Sequence, residues 1–503
     1  MWCGQGDVCG GTARPRRRES VPPRRGTLTG DWRVTALGQA AFEASNKRNR
    51  AATLDLYAHP HLESPTSQAV SLVIGPGSRA RRVSELFSGA AVVTGTLAAI
   101  AVGAAAMGAG RGPGFYVPVG AGAIAAQIFP GSRRLVAVAT GVLTLAALNP
   151  VFGLAFPVLV AALALCRRRA LPFFLVLGVG AILAPKLAFS RHYDHPGLWN
   201  WINEPSLALA IFAGALWWRA RADAKRDGAP ALDDLASFLL LFFMPAAAAF
   251  PLSLSPRALA KHEAPPAEHA LDLPGVTRLL GWFVLKVVAL WTLRTGAPHG
   301  FLRDVTPEAA LRLGRAQLWA VVMGSYLELY LSLAASADIP VLVARLYGWS
   351  LPNPFRAALL AWNPVELWRR WGIYNRSLLL QLVYFPLGGS RQHRDRNVLL
   401  TFVASALLLH SGWFGSKYAT VGVGGWRDET LYFLLQGLAV CACLRVRGAI
   451  EAVPPDPRPR PTLARALGIS ATQVWSAMVH VVVLAQGVDL VTRARLVARC
   501  FGL

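Results

Sequence analysis

The sequence predicts an all-α, polytopic integral membrane protein, and three observations support that prediction. The chain has 503 residues, of which 54% are hydrophobic and only 16% are charged, whereas soluble domains average about 25% charged residues. Apolar runs of near-bilayer length recur from residue 79 onward. Glycine and alanine are abundant within these runs, as in VVTGTLAAIAVGAAAMGAG, and small residues allow helices to pack closely in lipid.

Each apolar run is a candidate crossing, a re-entrant piece or an interfacial piece. Several runs are too short to span a bilayer alone, so we predict about ten or eleven transmembrane helices with interfacial or re-entrant helices between them. The stretch 454–462 (PPDPRPRPT) is expected to be a stiff connector before the last crossing. The runs lie near 84–108, 115–129, 133–148, 150–165, 171–189, 205–218, 235–254, 275–294, 316–335, 337–348, 398–413, 429–444 and 473–492.

The net charge of +24 is carried mostly by arginines in the N-terminal stretch and in short loops between the apolar runs. In a soluble protein this charge would indicate nucleic acid. Here, loop arginines that fix the topology and contact anionic headgroups account for it. No nucleic-acid module is recognisable, so membrane lipid is the expected partner and nucleic acid is not.

Residues 1–78 differ from the rest of the chain because they are rich in Gly, Pro and Arg and lack the apolar core of a cleavable signal peptide. We predict a disordered basic tail here, with an over-extended gene start as the alternative, and one transmembrane domain over 79–503. Basic residues favour the cytoplasmic side. The N-terminus and the loop carrying Arg391, Arg394 and Arg396 are therefore both expected to be cytoplasmic.

The segment WRRWGIYNRSLLLQLVYFPLGGSRQHRDRN, 368–397, is predicted to be an interfacial helix followed by a sharp turn and a basic loop. Asn363 caps the helix, Pro364 suits its first turn, and Glu366 can return a hydrogen bond toward the cap. Apolar and aromatic residues share one face, while the arginines need water or headgroups. The face consists of Leu367, Trp371, Tyr374 and Leu378, the arginines are Arg369, Arg370 and Arg376, and the turn contains Pro386, Gly388 and Gly389.

The next helix is predicted to start near Asn397 and to carry His410 roughly 20 Å along its axis. An ionisable residue that deep in a membrane is a functional candidate by default. The alternative is a neutral imidazole that shares a hydrogen bond with a neighbouring helix.

Other titratable groups are weaker candidates. His192, Asp194 and His195 have ligand-like spacing, but a solvated interfacial loop is the preferred interpretation. The stretch 261–270 (KHEAPPAEHA) is expected to be an irregular loop, and His480 is expected to pack against another helix. Glu328 is expected either to compensate inside a tunnel or to bind Tyr326 or Trp319. The six cysteines lack the paired spacing of a zinc site.

In combination, these motifs resemble the membrane-bound O-acyltransferase (MBOAT) superfamily, and especially its bacterial alginate and exopolysaccharide O-acetyltransferase branch. LYLSLAASADIPVLVARLYGWSLPNPFRAALLAWNPVELWRRWGIY is similar to that branch's consecutive signature blocks, YFPLGGSRQHRDRN to its turn and basic loop, and ALLLHSGWF to its membrane-histidine signature. The resemblance covers 326–414, with a fainter likeness over 233–256.

The resemblance implies a ring of helices around a tunnel, in a multi-pass protein of a bacterial inner (plasma) membrane. It implies transfer of an acyl group, expected to be acetyl, from a cytoplasmic thioester to a hydroxyl of an envelope polysaccharide or lipid. His410 would be the general base. The thioester would be an acyl-CoA or acyl-carrier co-substrate rather than a bound cofactor, no metal is expected, and an extracytoplasmic acyltransferase is an implied partner. The supporting tunnel residues would be Asp338, Glu328, Asn375 and Trp371, and the donor-side basic residues Arg369, Arg370, Arg391, Arg394 and Arg396.

Three positions depart from the branch's pattern. Gly372 stands where relatives have histidine or asparagine, Ser332 where they have aspartate, and Leu409 where they have tryptophan. These departures motivate an alternative function, a catalytically degenerate scaffold or lipid-binding partner in an envelope complex. A secondary transporter has little support, because no inverted repeat of broken helices is visible.

Overall fold

The structure, a computed structural model, describes residues 79–107, 113–148, 157–158, 161–162, 172–173, 239–240, 262, 271–302, 305–407, 424–451, 462–484 and 488–503. Within these ranges the regular elements are helical and none is a β-strand. The predicted N-terminal tail, 1–78, lies outside them, as do His192, Asp194, His195 and most of the stretch 261–270.

The helices are numbered here in chain order. They are α1 (Arg79–Ala106), α2 (Pro113–Ile128), α3 (Arg133–Leu148), α4 (Leu273–Gly296), α5 (Pro307–Arg312), α6 (Arg315–Leu346), α7 (Pro364–Arg370), α8 (Ile373–Leu379), α9 (Arg394–Ser405), α10 (Gly424–Glu451), α11 (Thr462–Leu484) and α12 (Leu490–Phe501). Short 3₁₀ turns occupy Pro130–Ser132 and Ala358–Leu360, and a π-helical turn occupies Leu380–Tyr384.

Five helices in the described part of the chain are long and apolar enough to cross a membrane, so the predicted polytopic helical membrane protein is confirmed. The helices α2 and α3 have 16 residues each and are about 24 Å long, which is less than the hydrocarbon thickness of a bilayer. The total of ten or eleven crossings, the ring and the tunnel stay predictions. The five spans are Ser88–Ala106, Leu273–Gly296, Arg315–Leu346, Asp428–Val446 and Leu463–Val483.

Helix α4 presents an apolar face that the described part of the protein leaves uncovered. Trp282 is 58% exposed, Leu285 55% and Trp291 57%. If this face were exposed to water, it would form an aggregation-prone apolar surface. In a membrane, the face is suited to lipid contact, with the two tryptophans offering amphipathic rings.

Neighbouring helices pack in a continuous order, α3 on α2, α2 on α1, α1 on α4, α4 on α6, α6 on α11, α11 on α10 and α10 on α9. Two large apolar cores are present among the described residues. One core contains residues of α1, α2, α3, α4 and the C-terminal half of α6. The other contains residues of the N-terminal half of α6 and of α10, α11 and α12. Helix α6 therefore separates the two cores and contributes to both.

Two predicted boundaries are wrong. The runs 316–335 and 337–348 form one 32-residue helix, α6, which continues through Asp338 and Pro340. Ser336, which separates the two apolar runs, lies inside this helix. The run 473–492 covers two helices, because the crossing is Leu463–Val483 and the separate helix α12 starts at Leu490.

Candidate functional site

The WRRW segment begins as predicted. Asn363 accepts a hydrogen bond from the N–H of Glu366 at 2.8 Å and so caps α7, with Pro364 in the first turn. The carboxylate of Glu366 accepts a hydrogen bond from the N–H of Trp362 at 3.2 Å. Glu366 also binds Arg370, with 3.0 Å between Oε1 and Nε. The start of the segment is therefore fixed by its own side chains.

The predicted single helix is broken at Gly372. Helix α7 ends at Arg370, Gly372 adopts left-handed backbone angles with φ of +56°, and α8 starts at Ile373. The preceding loop takes the freed backbone groups: the N–H of Arg356 donates to the carbonyl of Arg370 at 2.9 Å, and the N–H of Ile373 donates to the carbonyl of Pro354 at 3.1 Å. Glycine suits this position because it adopts positive φ without the steric cost of a Cβ.

Trp371, directly before the break, is surrounded by aromatic rings from three parts of the chain. Its ring centroid lies 5.5 Å from that of Tyr330 and 6.5 Å from that of Tyr326, both on α6. Phe355 of the preceding loop is 5.3 Å away and Trp368 of α7 is 6.2 Å away. We call these five residues the aromatic wall. It joins the WRRW segment to α6.

A polar pair lies beside the aromatic wall, on α10 and α11. Nε2 of His480 is 3.0 Å from the hydroxyl of Tyr432, and Nδ1 is 2.6 Å from the carbonyl oxygen of Ser476. His480 is 3% exposed, and its ring centroid is 4.9 Å from that of Tyr326 and 6.3 Å from that of Trp371. The expected packing of His480 against another helix is observed, with Tyr432 as its partner.

Gln473 binds the hydroxyl group of Tyr326. The hydroxyl of Tyr326 donates to Oε1 of Gln473 at 2.8 Å. The amide nitrogen of Gln473 lies 3.4 Å from the carbonyl of Ala358 and 3.5 Å from that of Ala361. Helix α11 is thereby attached to the 3₁₀ turn that leads into the WRRW segment.

Asp338 is fully buried on α6 and bound by two partners. Nζ of Lys286, on α4, is 2.6 Å from its Oδ2, and the side-chain amide of Asn353 donates to its Oδ1. Asn353 in turn accepts a hydrogen bond from the N–H of Phe355 at 2.8 Å. Asp338 therefore connects α4 to the loop that carries one residue of the aromatic wall.

Glu328 pairs with Arg294 of α4, a partner that was not predicted from the sequence. Nε of Arg294 is 2.8 Å from Oε1 of Glu328, and Nη1 donates to the carbonyl of Met107 at 3.0 Å. The indole of Trp319 instead donates to the carbonyl of Cys500 at 2.8 Å. The tertiary pairing of α4 with α6 decides these partners, because it aligns two cations of α4 with two carboxylates of α6.

The residues that follow the π-helical turn form a further turn. Gly388 and Gly389 have φ of +99° and +62°, and Pro386 precedes them. Asn397, which is fully buried, donates through its side-chain nitrogen to the carbonyls of Leu387 at 2.9 Å, Gly389 at 2.9 Å and Gln392 at 2.6 Å. Asn397 lies inside α9, which starts at Arg394 rather than near Asn397 as predicted.

Replacing Asn397 by alanine should lower the free energy of unfolding by about 1–3 kcal/mol, because three buried or partly buried carbonyls lose a donor. Thermal unfolding of the purified protein in detergent measures this change. Asn397→Asp keeps the size but removes the N–H donors, so it should destabilise at least as much. A stable Asn397→Asp variant would contradict the role of the donor.

The basic loop forms an open pocket of about 410 Å³, lined by Ser390, His393, Arg394, Asp395 and Arg396. His393 caps α9 with φ of +48°, and Arg396 is exposed, with Nη2 3.4 Å from Oδ1 of Asn397. The pocket brings together two of the basic residues predicted on the donor side. Arg391, the third on this loop, is exposed nearby in the chain.

Asp395 partly neutralises this pocket. Nε of Arg445, on α10, lies 2.7 Å from its Oδ2, and Nε of Arg394 lies 3.2 Å from its Oδ1. Burial acts to raise the pKa of the Asp395 carboxyl, but hydrogen bonds and charges from Arg445 and Arg394 outweigh it and hold that pKa below its usual value. The carboxylate therefore stays ionised and orients the two arginines.

Asn375 and Arg369, two further predicted residues, lie on opposite sides of the break at Gly372. Asn375 lies in the first turn of α8, half-buried, and Arg369 is half-buried in the last turn of α7, where a cation is favoured by the helix dipole. His410 and Leu409 lie outside the described residues, which end in this region at Leu407.

Several polar residues of this region were not identified from the sequence, among them Lys286, Arg294, Asn397 and Tyr432. Lys286 and Arg294 were detectable as cations within the apolar run 275–294, whereas Asn397 and Tyr432 have no distinguishing pattern around them. Asp338 and Glu328 face cations of α4, and Trp371 faces Tyr326 and Tyr330 of the same α6 helix. The supporting residues thus divide into ion pairs with α4 and an aromatic wall with the WRRW segment.

Comparison with known proteins gives relatives for part of the chain. A probable alginate O-acetylase of Pseudomonas putida is 27% identical over 169 residues, which are 32% of this chain and 32% of that protein. A probable alginate O-acetylase of Azotobacter vinelandii is 27% identical over 193 residues, 37% of this chain and 35% of that protein. A peptidoglycan O-acetyltransferase of Helicobacter pylori is 28% identical over 137 residues, 27% of this chain and 26% of that protein.

The chain thus spans about a third of the length of these relatives, and no protein-family model matches it. The relatives' names agree with the resemblance carried by the WRRW segment, the PLGG turn and the membrane histidine. Over about a third of its length, this helical membrane protein is similar to proteins named as alginate O-acetylases and a peptidoglycan O-acetyltransferase.

Proposed function

We propose that this protein is a membrane-bound O-acyltransferase that moves an acetyl group from a cytoplasmic thioester to a hydroxyl of an envelope polysaccharide or lipid. The observation that carries the proposal is the order, along the sequence of a polytopic helical chain, of the WRRW segment, the PLGG turn and an apolar run that contains His410. The names of the relatives support O-acetylation of a polysaccharide or peptidoglycan as the reaction class.

In the proposed reaction, His410 takes the proton of the acceptor hydroxyl while the hydroxyl oxygen attacks the thioester carbonyl. The C–O bond forms, the C–S bond breaks, and the thiol leaves with a proton. Trp371 and the aromatic wall would hold the acyl group, and Asp338, Glu328 and Asn375 would support the surrounding helices. Such positioning contributes to rate because the reacting atoms meet without a further search.

The basic residues would receive the anionic part of the donor. Arg391, Arg394 and Arg396 belong to a loop with an open pocket, and Arg369 and Arg370 end α7. A donor with phosphate groups, either coenzyme A or the phosphopantetheine arm of a carrier protein, is suited to such a pocket. We propose that this loop and the N-terminus lie on the cytoplasmic side of a bacterial inner membrane, and that an extracytoplasmic acyltransferase is a partner.

The second candidate function is a catalytically degenerate scaffold or lipid-binding partner. Gly372 favours it, because this position has no side chain and a Cβ built there meets none of the described residues within 4 Å. The WRRW segment therefore offers no polar group at the point where relatives have histidine or asparagine.

Turnover by the purified protein decides between the two functions. We expect proteoliposomes containing the wild-type protein to transfer labelled acetyl groups from acetyl-coenzyme A, or from an acetylated carrier protein, to an added polysaccharide or lipid hydroxyl. Empty liposomes and heat-denatured protein are the controls. If neither donor gives transfer to any of a panel of alginate, peptidoglycan fragments and lipid alcohols, the scaffold function replaces the enzyme.

A further inference from the structure

Helix α11 contains a buried histidine that the proposed reaction leaves without a role. The carbonyl oxygen of Ser476, 2.6 Å from Nδ1 of His480, can only accept a hydrogen bond. Nδ1 therefore carries the proton, and in the neutral imidazole Nε2 accepts a hydrogen bond from the hydroxyl of Tyr432 across 3.0 Å. The imidazole is neutral, in one tautomer, and both of its nitrogens are occupied.

His480 touches the aromatic wall on one side and Tyr432 on the other. Its ring is tilted against Tyr326, with centroids 4.9 Å apart, and meets Tyr432 edge to face at 4.6 Å. Trp371 is 6.3 Å away. Because two hydrogen bonds fix the plane of the imidazole, the neighbouring rings of the wall pack against a surface that cannot rotate.

The same region adjoins the end of α9. Ala406 belongs to the apolar core that contains Tyr432 and Val479, and Phe402 packs against Trp368 with ring centroids 5.1 Å apart. Helix α9 therefore contacts both α10 and the WRRW segment. The candidate base, His410, follows α9 in the sequence.

Packing alone would not require this pair. A buried hydrogen bond contributes only about 0.5–1.5 kcal/mol net, and apolar residues of equal volume fill a core without any desolvation cost. The hydrogen bond between His480 and Tyr432 instead fixes the orientation of both side chains. Such fixed orientation matters where substrate atoms must be held within a fraction of an ångström.

We propose that His480 is a positioning residue of the acyl-transfer site, and that its hydrogen bond with Tyr432 holds the aromatic wall in the orientation that receives the acyl group. The inference rests on the proposed function. The group that this wall would hold is a short acyl chain on a thioester. His480 itself touches neither substrate nor donor.

The test compares single and double variants in the acetyl-transfer assay. His480→Phe keeps an aromatic ring of similar size but makes neither hydrogen bond, and Tyr432→Phe removes the hydroxyl alone. Each should lower kcat by about 10- to 100-fold while the KM for the donor changes less than about 2-fold, since the basic loop is untouched. The double variant should be no slower than the slower single variant, because each single change already breaks the same bond.

Two further variants separate positioning from stability. His480→Gln carries an oxygen that can accept a hydrogen bond from the hydroxyl of Tyr432, so it should recover part of the rate that His480→Phe loses. Thr472→Val, on the same helix, removes a buried hydrogen bond to the carbonyl of Gly468 and should leave kcat unchanged even if the melting temperature falls.

Each remaining outcome overturns a distinct statement. Wild-type rates in folded His480→Phe and Tyr432→Phe overturn the positioning role and leave the proposed function in place. Rate losses that are additive in the double variant, or equal in Thr472→Val, also overturn it. Absence of turnover by the wild-type protein overturns the proposed function, and this inference with it.

Discussion

Replacing His410 by alanine should lower the rate of acyl transfer by about 10²- to 10⁴-fold, the contribution of a positioned general base. The acceptor hydroxyl is a poor nucleophile until a base removes its proton, and alanine has no group that can accept one. His410 stands at the position of the membrane histidine in the motif order that the chain shares with the MBOAT superfamily. Initial rates from labelled acetyl donor in proteoliposomes, normalised to folded protein, measure the loss.

The control for this variant is a histidine outside the proposed machinery. His299 lies half-buried in the turn after α4, so His299→Ala should transfer acetyl groups at the wild-type rate. His410→Gln keeps a polar side chain of similar length without a basic nitrogen and should be as slow as His410→Ala. Wild-type turnover by His410→Ala would show that another group removes the proton.

The spans were predictable because the bilayer imposes a length and a composition. The run 275–294 agrees with α4 (Leu273–Gly296), and the run 429–444 lies within the span Asp428–Val446. The last crossing was misplaced because it begins with the moderately polar stretch LARALGISATQ, which a search for apolar residues excludes. The share of each helix that is buried among other helices, rather than in lipid, does not follow from hydropathy.

The break at Gly372 was not predictable from periodicity. Leu367, Trp371, Tyr374 and Leu378 keep helical spacing across the glycine, so the pattern indicates one continuous helix. The helix ends because the loop that contains Pro354 and Arg356 forms hydrogen bonds with the N–H of Ile373 and the carbonyl of Arg370. A local sequence pattern cannot show that another segment of the chain will form hydrogen bonds with these backbone groups in the folded protein.

The candidate site was predictable in its residue types and only partly in its contacts. The sequence indicated that Trp371, Asp338 and Glu328 belong to one region, but their partners depend on which helices become neighbours. Lys286 and Arg294 are eight positions apart on α4, and Asp338 and Glu328 are ten apart on α6. Only an antiparallel pairing of α4 with α6 aligns these charges.

The Lys286–Asp338 ion pair should have the largest effect on stability. Asp338→Ala should lower the free energy of unfolding by about 3–5 kcal/mol, because it leaves the ammonium of Lys286 inside an apolar span without its carboxylate. Lys286 lies in the middle of α4, and its Nζ is 2.6 Å from Oδ2 of Asp338, which is fully buried. Equilibrium unfolding of the purified protein in mixed micelles, followed by circular dichroism, measures the change.

The double variant separates the charge from the packing. Lys286→Leu with Asp338→Leu replaces both ions by apolar side chains that need no partner, so it should be far more stable than Asp338→Ala and close to the wild type. Asp338→Asn keeps an oxygen toward the amide of Asn353 but loses the charge, and should be intermediate. If Asp338→Ala unfolds within about 1 kcal/mol of the wild type, the ammonium of Lys286 has reached water or headgroups by extending its stem, and the pair then fixes the direction of Lys286 rather than the stability of α4 on α6.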